Sequence, residues 1–152
     1  MLLSELLTPE RVKVPLGGRS KDDVLSELVT LAMPSASASD TESILESVRI
    51  RERQHSTAMG EGVAIPHGRT PVLTELVIAA GIAPTAVDYD APDGQPVTLF
   101  FLIVGPESAG GAHVKALARI ARLLRRESLR AELRAVQSPA DFMALLRTSE
   151  AV

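Results

Sequence analysis

With 152 residues, the chain is sized for a single domain over 1–152, able to bury roughly 70% of its unfolded surface without covalent staples. It has no cysteine, which excludes a thiolate nucleophile, a CxxC redox pair and a cysteine zinc site. A formal net charge of −3, with 3 Phe, 1 Tyr and no Trp, provides neither the electrostatic footprint nor the stacking platform of a nucleic-acid binder. The lack of a signal peptide or long apolar run predicts a cytoplasmic protein with no membrane insertion.

Taken in order, the chain opens with a short Leu-rich segment and a brief strand at Val12-Lys13-Val14, ended by Pro15 and the Gly17-Gly18 turn. Ser20 reads as the N-cap of a helix carrying Val24, Leu28 and Leu31 on one face. After the small-residue loop Pro34 to Ala38, Ser39 with Glu42 fits a capping box for a second helix, which bears Ile44, Leu45 and Val48 and ends near Arg51 to Gln54. Strands are predicted over Leu76 to Ala83 and Val97 to Val104, the second almost continuously apolar, as in a strand covered on both faces. Asp93-Gly94 marks the turn between them. Three helical stretches follow, one with Leu117, Ile120 and Leu124, one with Leu129 and Leu133, and one capped at Ser138-Pro139 with Phe142 and Leu146. The fold class is α/β, a small mixed sheet flanked by helices.

The chemistry-bearing residues gather around His67. Pro66 has a fixed φ and biases Ile65 toward extended geometry, so the backbone before His67 is held stiffly. Gly60, Gly62 and Gly68 permit close approach of an incoming group. A stiff imidazole among exposed amides suits phosphoryl transfer, which depends mainly on positioning and charge stabilisation. The same residues also fit a turn histidine with no chemical role. His113, after Gly110-Gly111-Ala112, is expected to open a helix from Val114 to Arg125, where free amides favour an anion. It equally fits the start of an ordinary exposed helix. His55 reads as a surface residue.

From Arg51-Glu52 through Ser56-Thr57 to Gly60-Glu61-Gly62-Val63-Ala64-Ile65-Pro66-His67-Gly68, the sequence resembles the signature of enzyme IIA domains of the bacterial phosphoenolpyruvate-dependent phosphotransferase system, of the fructose, mannitol and nitrogen-related type. His113 with Leu117-Ala118 matches the second histidine of that family. The resemblance implies that His67 accepts phosphate on Nε2 from the phosphohistidine of an HPr-type carrier and passes it to an enzyme IIB partner or answers to a regulated protein. It implies that His113 positions, that Arg51 clamps phosphoryl charge, and that Ser56, Thr57, Glu61 and Gly68 line the phosphate site. The family commonly has glycine at the position of Ala58 and a β-branched residue at Met59, so a less permissive loop is expected here. No cofactor is implied.

Two branches of the family compete: a subunit of sugar uptake, and a regulatory protein of the nitrogen-related branch. The stretches Ala91 to Val97 and Leu133 to Ser138 are more similar to the second. A remote alternative is metal binding by His67, His113 and Glu61, against which stands the lack of any short paired-ligand motif. Lys115, Arg119, Arg122 and Arg126 recur at helical spacing and are read as a solvated basic face in preference to a docking patch.

Overall fold

The computed structural model describes residues 1–151, so the last residue of the domain expected over 1–152 lies outside the described residues. Helices α1 (Leu3–Leu6), α2 (Lys21–Ala32), α3 (Ala38–Gln54), α4 (Gly110–Leu123), α5 (Glu127–Ala135) and α6 (Pro139–Glu150) surround one mixed sheet. Its strands are β1 (Val12–Lys13), β2 (Ala58–Gly60), β3 (Val63–Ala64), β4 (His67–Arg69), β5 (Val77–Val87) and β6 (Val97–Gly105). The order across the sheet is β1-β5-β6-β3-β2, with β4 also paired to β6. Among the described residues no helix is long and apolar enough to cross a membrane.

Strand β6 organises the interior because both of its faces are covered. Leu99, Phe101 and Ile103 point into a core shared with Ile120, Leu133 and Phe142 of α4, α5 and α6. Phe100, Leu102 and Val104 point the other way, toward Val24, Leu28, Ile44 and Val48 of α2 and α3. Period-two alternation on a doubly covered strand yields the continuous apolar run seen in the sequence. Each fully buried Leu, Ile or Phe contributes about 1.5–3 kcal/mol of transfer free energy.

Several boundaries differ from the sequence expectations. Helix α3 is capped by Ser37, whose Oγ accepts the Asp40 amide at 3.1 Å, so Ser39 and Glu42 lie inside the helix and Glu42 pairs with Arg49 at 3.0 Å. Strand β5 extends to Val87 because its ladder with β6 resumes at Val87 opposite Val97 after an irregularity beyond Ile82. The segment around His67 carries three short strands that periodicity does not reveal. Gly60, Glu61 and Gly62 all have positive φ and Pro66 separates β3 from β4, so no run is long enough to register as a strand. Strands β3 and β4 nonetheless follow one line along β6, parallel to it, with Val63 opposite Leu99 and His67 opposite Ile103.

Candidate functional site

His67 begins β4 at the edge of the sheet, where α3 and α4 converge from opposite layers. Between them lies a cleft of ≈ 450 Å³ bordered by Arg51, His67, Gly68, Arg69, His113 and Val114. The His67 Nδ1 sits 2.7 Å from the Ile65 carbonyl. A carbonyl only accepts, so Nδ1 carries the hydrogen and Nε2 keeps its lone pair. Ile65 is itself fixed, being 3% exposed and donating its N–H to the Thr57 carbonyl at 3.1 Å. Burial holds the imidazole below its ordinary pKa; the Ile65 bond and Glu52 oppose this, while Arg51 and Arg69 add to it.

The His113 ring lies with its centroid 5.4 Å from that of His67, the planes 68° apart. The residue is 3% exposed, and its Nδ1 is buried without a partner. With no acceptor beside Nδ1, the hydrogen belongs on Nε2, the nitrogen with access to the cleft. Burial first, then His67 and Arg69, lower its pKa to about 4. Both histidines are therefore neutral near pH 7.

The expectation that His113 opens its helix is corrected by the structure, which makes it the fourth residue of α4. Helix α4 starts at Gly110 and follows a 3-10 turn over Glu107–Ala109. The Ala109 and Gly110 amides donate to the Pro106 and Glu107 carbonyls, so the turn engages two of the four amides at this helix start. His113 contributes its side chain, directed back over the first turn as helical side chains are.

Cationic groups come from both sides of His67. Arg51, in the last turn of α3, donates from Nη1 to the His55 carbonyl at 2.7 Å, which leaves other guanidinium donors for the cleft. Arg69 was not among the sequence candidates. It lies two residues beyond His67 on the same strand, and that period-two spacing puts both on one face; its nearest anion is Glu107 at 3.6 Å.

The remaining candidates divide. Gly68 borders the cleft, but its lack of a side chain serves packing: a Cβ there would stand 2.5 Å from Ser47 Oγ and 2.8 Å from the Ser47 carbonyl carbon and the Val48 nitrogen. Ser56 and Thr57 are turned away from the cleft, Ser56 donating to the Tyr89 carbonyl at 3.0 Å and Thr57 bonding the Glu52 carboxylate. Glu61 is removed altogether, since the Gly62 carbonyl meets the Thr98 and Leu99 amides whereas His67 is opposite Ile103, about 15 Å further along the sheet. Glu61 is exposed, its amide tied to Asp93 at 3.0 Å and its carboxylate 3.8 Å from Arg130. Gly60 and Gly62 therefore shape this distant turn, with φ of 93° and 75°, and not the approach to His67. The metal-binding alternative fails with Glu61, and among the described residues no group of three or more His, Asp or Glu is arranged to hold a metal.

The model of the family described as "Phosphoenolpyruvate-dependent sugar phosphotransferase system, EIIA 2" matches residues 5–149. The chain belongs to this family. It is 40% identical over 146 residues to a nitrogen regulatory protein of Bradyrhizobium diazoefficiens, covering 96% of this chain and 95% of that protein. It is 38% identical over 138 residues to the fructose-specific EIIABC component of Bacillus subtilis, covering 91% of this chain but only 22% of that much longer protein. The nitrogen regulatory protein IIA-Ntr of Neisseria meningitidis superposes with a TM-score of 0.86 at 33% identity, covering 95% of this chain and 98% of that one. The mannitol IIA of Escherichia coli shares the fold, with a TM-score of 0.76 at 16% identity over 91% of this chain and 97% of that one. Within this EIIA 2 domain, the loop expected to stiffen at Ala58 and Met59 is strand β2, where Ala58 is buried opposite Ala64 and Met59 is 38% exposed. The expected basic stripe does not lie on one helix, since α4 ends at Leu123 and Arg126 is the N-cap of α5, and it is partly engaged: Arg119 pairs with Glu150 at 2.7 Å and Arg126 donates to the Ser149 carbonyl. Lys115 and Arg122 are solvent-exposed.

Proposed function

We propose that this chain acts over 1–152 as one enzyme IIA domain in which His67 Nε2 is the phosphoacceptor, loaded by a phospho-HPr-type carrier. The carrying observation is the 2.7 Å bond from His67 Nδ1–H to the Ile65 carbonyl, which leaves Nε2 as the unprotonated nitrogen. In the transfer, the Nε2 lone pair attacks phosphorus while the bond from phosphorus to the donor imidazole breaks, its electron pair leaving with that ring. The Nδ1 proton stays in place, and the Ile65 carbonyl stabilises the positive charge developing on the ring. The donor ring, protonated at its other nitrogen, leaves as neutral imidazole, so no proton has to be moved. His113 Nε2–H donates to a phosphoryl oxygen, and Arg51 and Arg69 neutralise the remaining charge.

The phosphate then passes to an enzyme IIB partner, or its presence is read by a regulated protein. The nitrogen-related branch is favoured by 40% identity to a nitrogen regulatory protein over nearly the full length of both chains. Sugar uptake is the second reading, favoured by the 38% identity to a fructose-specific component. Incubation with phosphoenolpyruvate, enzyme I and HPr should place an acid-labile phosphate on His67 and none on His67→Ala. Arg51→Ala and His113→Ala should label at His67, slowed by about 10² to 10³. Full labelling of His67→Ala would overturn the assignment. A pull-down with phosphorylated protein and His67→Ala, run beside a sugar-phosphorylation assay on membranes, decides the branch: phosphorylation-dependent partners support regulation, and robust His67-dependent transfer to one sugar supports uptake.

A further inference from the structure

Arg51 and Glu52 are neighbours at the end of α3, about 100° apart around the helix axis, and they serve different surroundings. Arg51 borders the His67 cleft, while the Glu52 side chain is 5% exposed on an adjoining face of the helix. A buried carboxylate is tolerated only when its oxygens are well paired. The partners of Glu52 come from three separate parts of the chain. Lys21, the first residue of α2, approaches at 3.0 Å, and the Tyr89 hydroxyl donates at 3.0 Å. Thr57 donates its backbone N–H at 3.2 Å and, through a short bond, its hydroxyl. Lys21 also lies 4.4 Å above the centre of the Tyr89 ring.

These bonds continue toward His67. The Thr57 carbonyl accepts the Ile65 N–H at 3.1 Å, and the Ile65 carbonyl accepts the His67 Nδ1–H at 2.7 Å. The hairpin between Thr57 and Ile65 has little ladder of its own to hold this geometry: β2 and β3 pair only at Ala58 with Ala64 and at Gly60 with Val63, with a register shift between them. Its base is fixed instead by the anchor at Thr57. We propose that Glu52 is a positioning residue for His67: through Thr57 and Ile65 it holds the carbonyl that keeps the imidazole in its Nδ1–H tautomer, with Nε2 facing the cleft. Its consequence for phosphate transfer rests on the His67 reading above; its effect on the ring does not.

The test uses the full chain with 15N-labelled histidine. In the wild type, His67 should show Nδ1 as the protonated and Nε2 as the unprotonated nitrogen at neutral pH. Glu52→Gln, close in shape but uncharged, should give a mixture of tautomers. Its single-turnover acceptance at saturating phospho-HPr should fall about 10- to 100-fold, the range for a small displacement of a reacting group, with half-saturation by the donor unchanged. Tyr89→Phe, which removes one donor from the carboxylate, should shift both readouts in the same direction by less. Glu52→Ala provides the stronger perturbation if it folds; if it does not, Glu52→Gln and Tyr89→Phe decide. Lower melting temperatures with an unchanged His67 tautomer and unchanged rate per folded molecule would reduce Glu52 to a structural anchor and overturn the proposal. A wild type that takes no phosphate, yet whose His67 tautomer depends on Glu52, would sink the phosphoacceptor reading and leave the positioning role standing.

Discussion

Acidification should destabilise this protein through His113 before it acts on the carboxylates. The imidazole is 3% exposed with its Nδ1 unpartnered, and its pKa falls from 6.5 to about 4 on folding. A histidine with a lowered folded pKa binds its proton more readily in the unfolded chain, so stability is complete above about pH 6.5 and declines as pH falls toward 4. At 1.36 kcal/mol per unit, the interval is worth up to about 3 kcal/mol, of which about 2 kcal/mol falls between pH 7 and pH 5. His67, also lowered, adds in the same direction. Glu27 and Glu150 have lowered pKa values as well, but such carboxylates lose their contribution only below their unfolded values, near 4.5, so the window above pH 5 isolates the histidines. Urea titrations followed by far-ultraviolet circular dichroism, from pH 7.5 to 5, should show this decline in the wild type and a much flatter profile in His113→Gln. Parallel profiles, or a wild type of constant stability across the window, would refute the reasoning.

Other perturbations have equally direct outcomes. Gly68→Ala should destabilise by about 1–3 kcal/mol, as overpacking does, because its Cβ meets the backbone of Ser47 and Val48 as well as a hydroxyl; a urea midpoint checks it, and Ser47→Ala should not restore the loss. Glu150→Gln should cost about 3 kcal/mol at pH 7, as loss of one partner of a buried ion pair does, since that side chain is 1% exposed, binds Arg119 and caps the Leu3 and Ser4 amides at 2.8 Å. Because its carboxyl is held below 4.5, the difference from wild type should shrink as pH drops through that lowered value. The fall in the rate of phosphate acceptance with acid should have its midpoint below 6.5, because His67 resists protonation; a reaction series across pH with the HPr titration controlled would contradict this if the midpoint were 6.5 or higher.

The sequence by itself determined the elements whose signals are local. Ser20 and Ser138 cap α2 and α6 through the Asp23 and Asp141 amides, and the apolar run of β6 reflects burial on both faces. The Ile65-Pro66-His67 run, with its restricted backbone, marked the segment that borders the cleft. What local pattern does not encode is which residues meet. Arg69 joins the cleft because β4 pairs with β6 and turns alternate residues to one face, whereas Glu61, nearer to His67 in sequence than His113, is carried to the far end of the sheet by the turn of positive φ. Ser56 and Thr57 sit within the signature but face Tyr89 and Glu52. The pairing of His67 with His113 depends on helix α4 packing over the strand edge at β4. Such contacts arise from packing of the two cores around β6, a long-range constraint that neither residue type nor spacing contains.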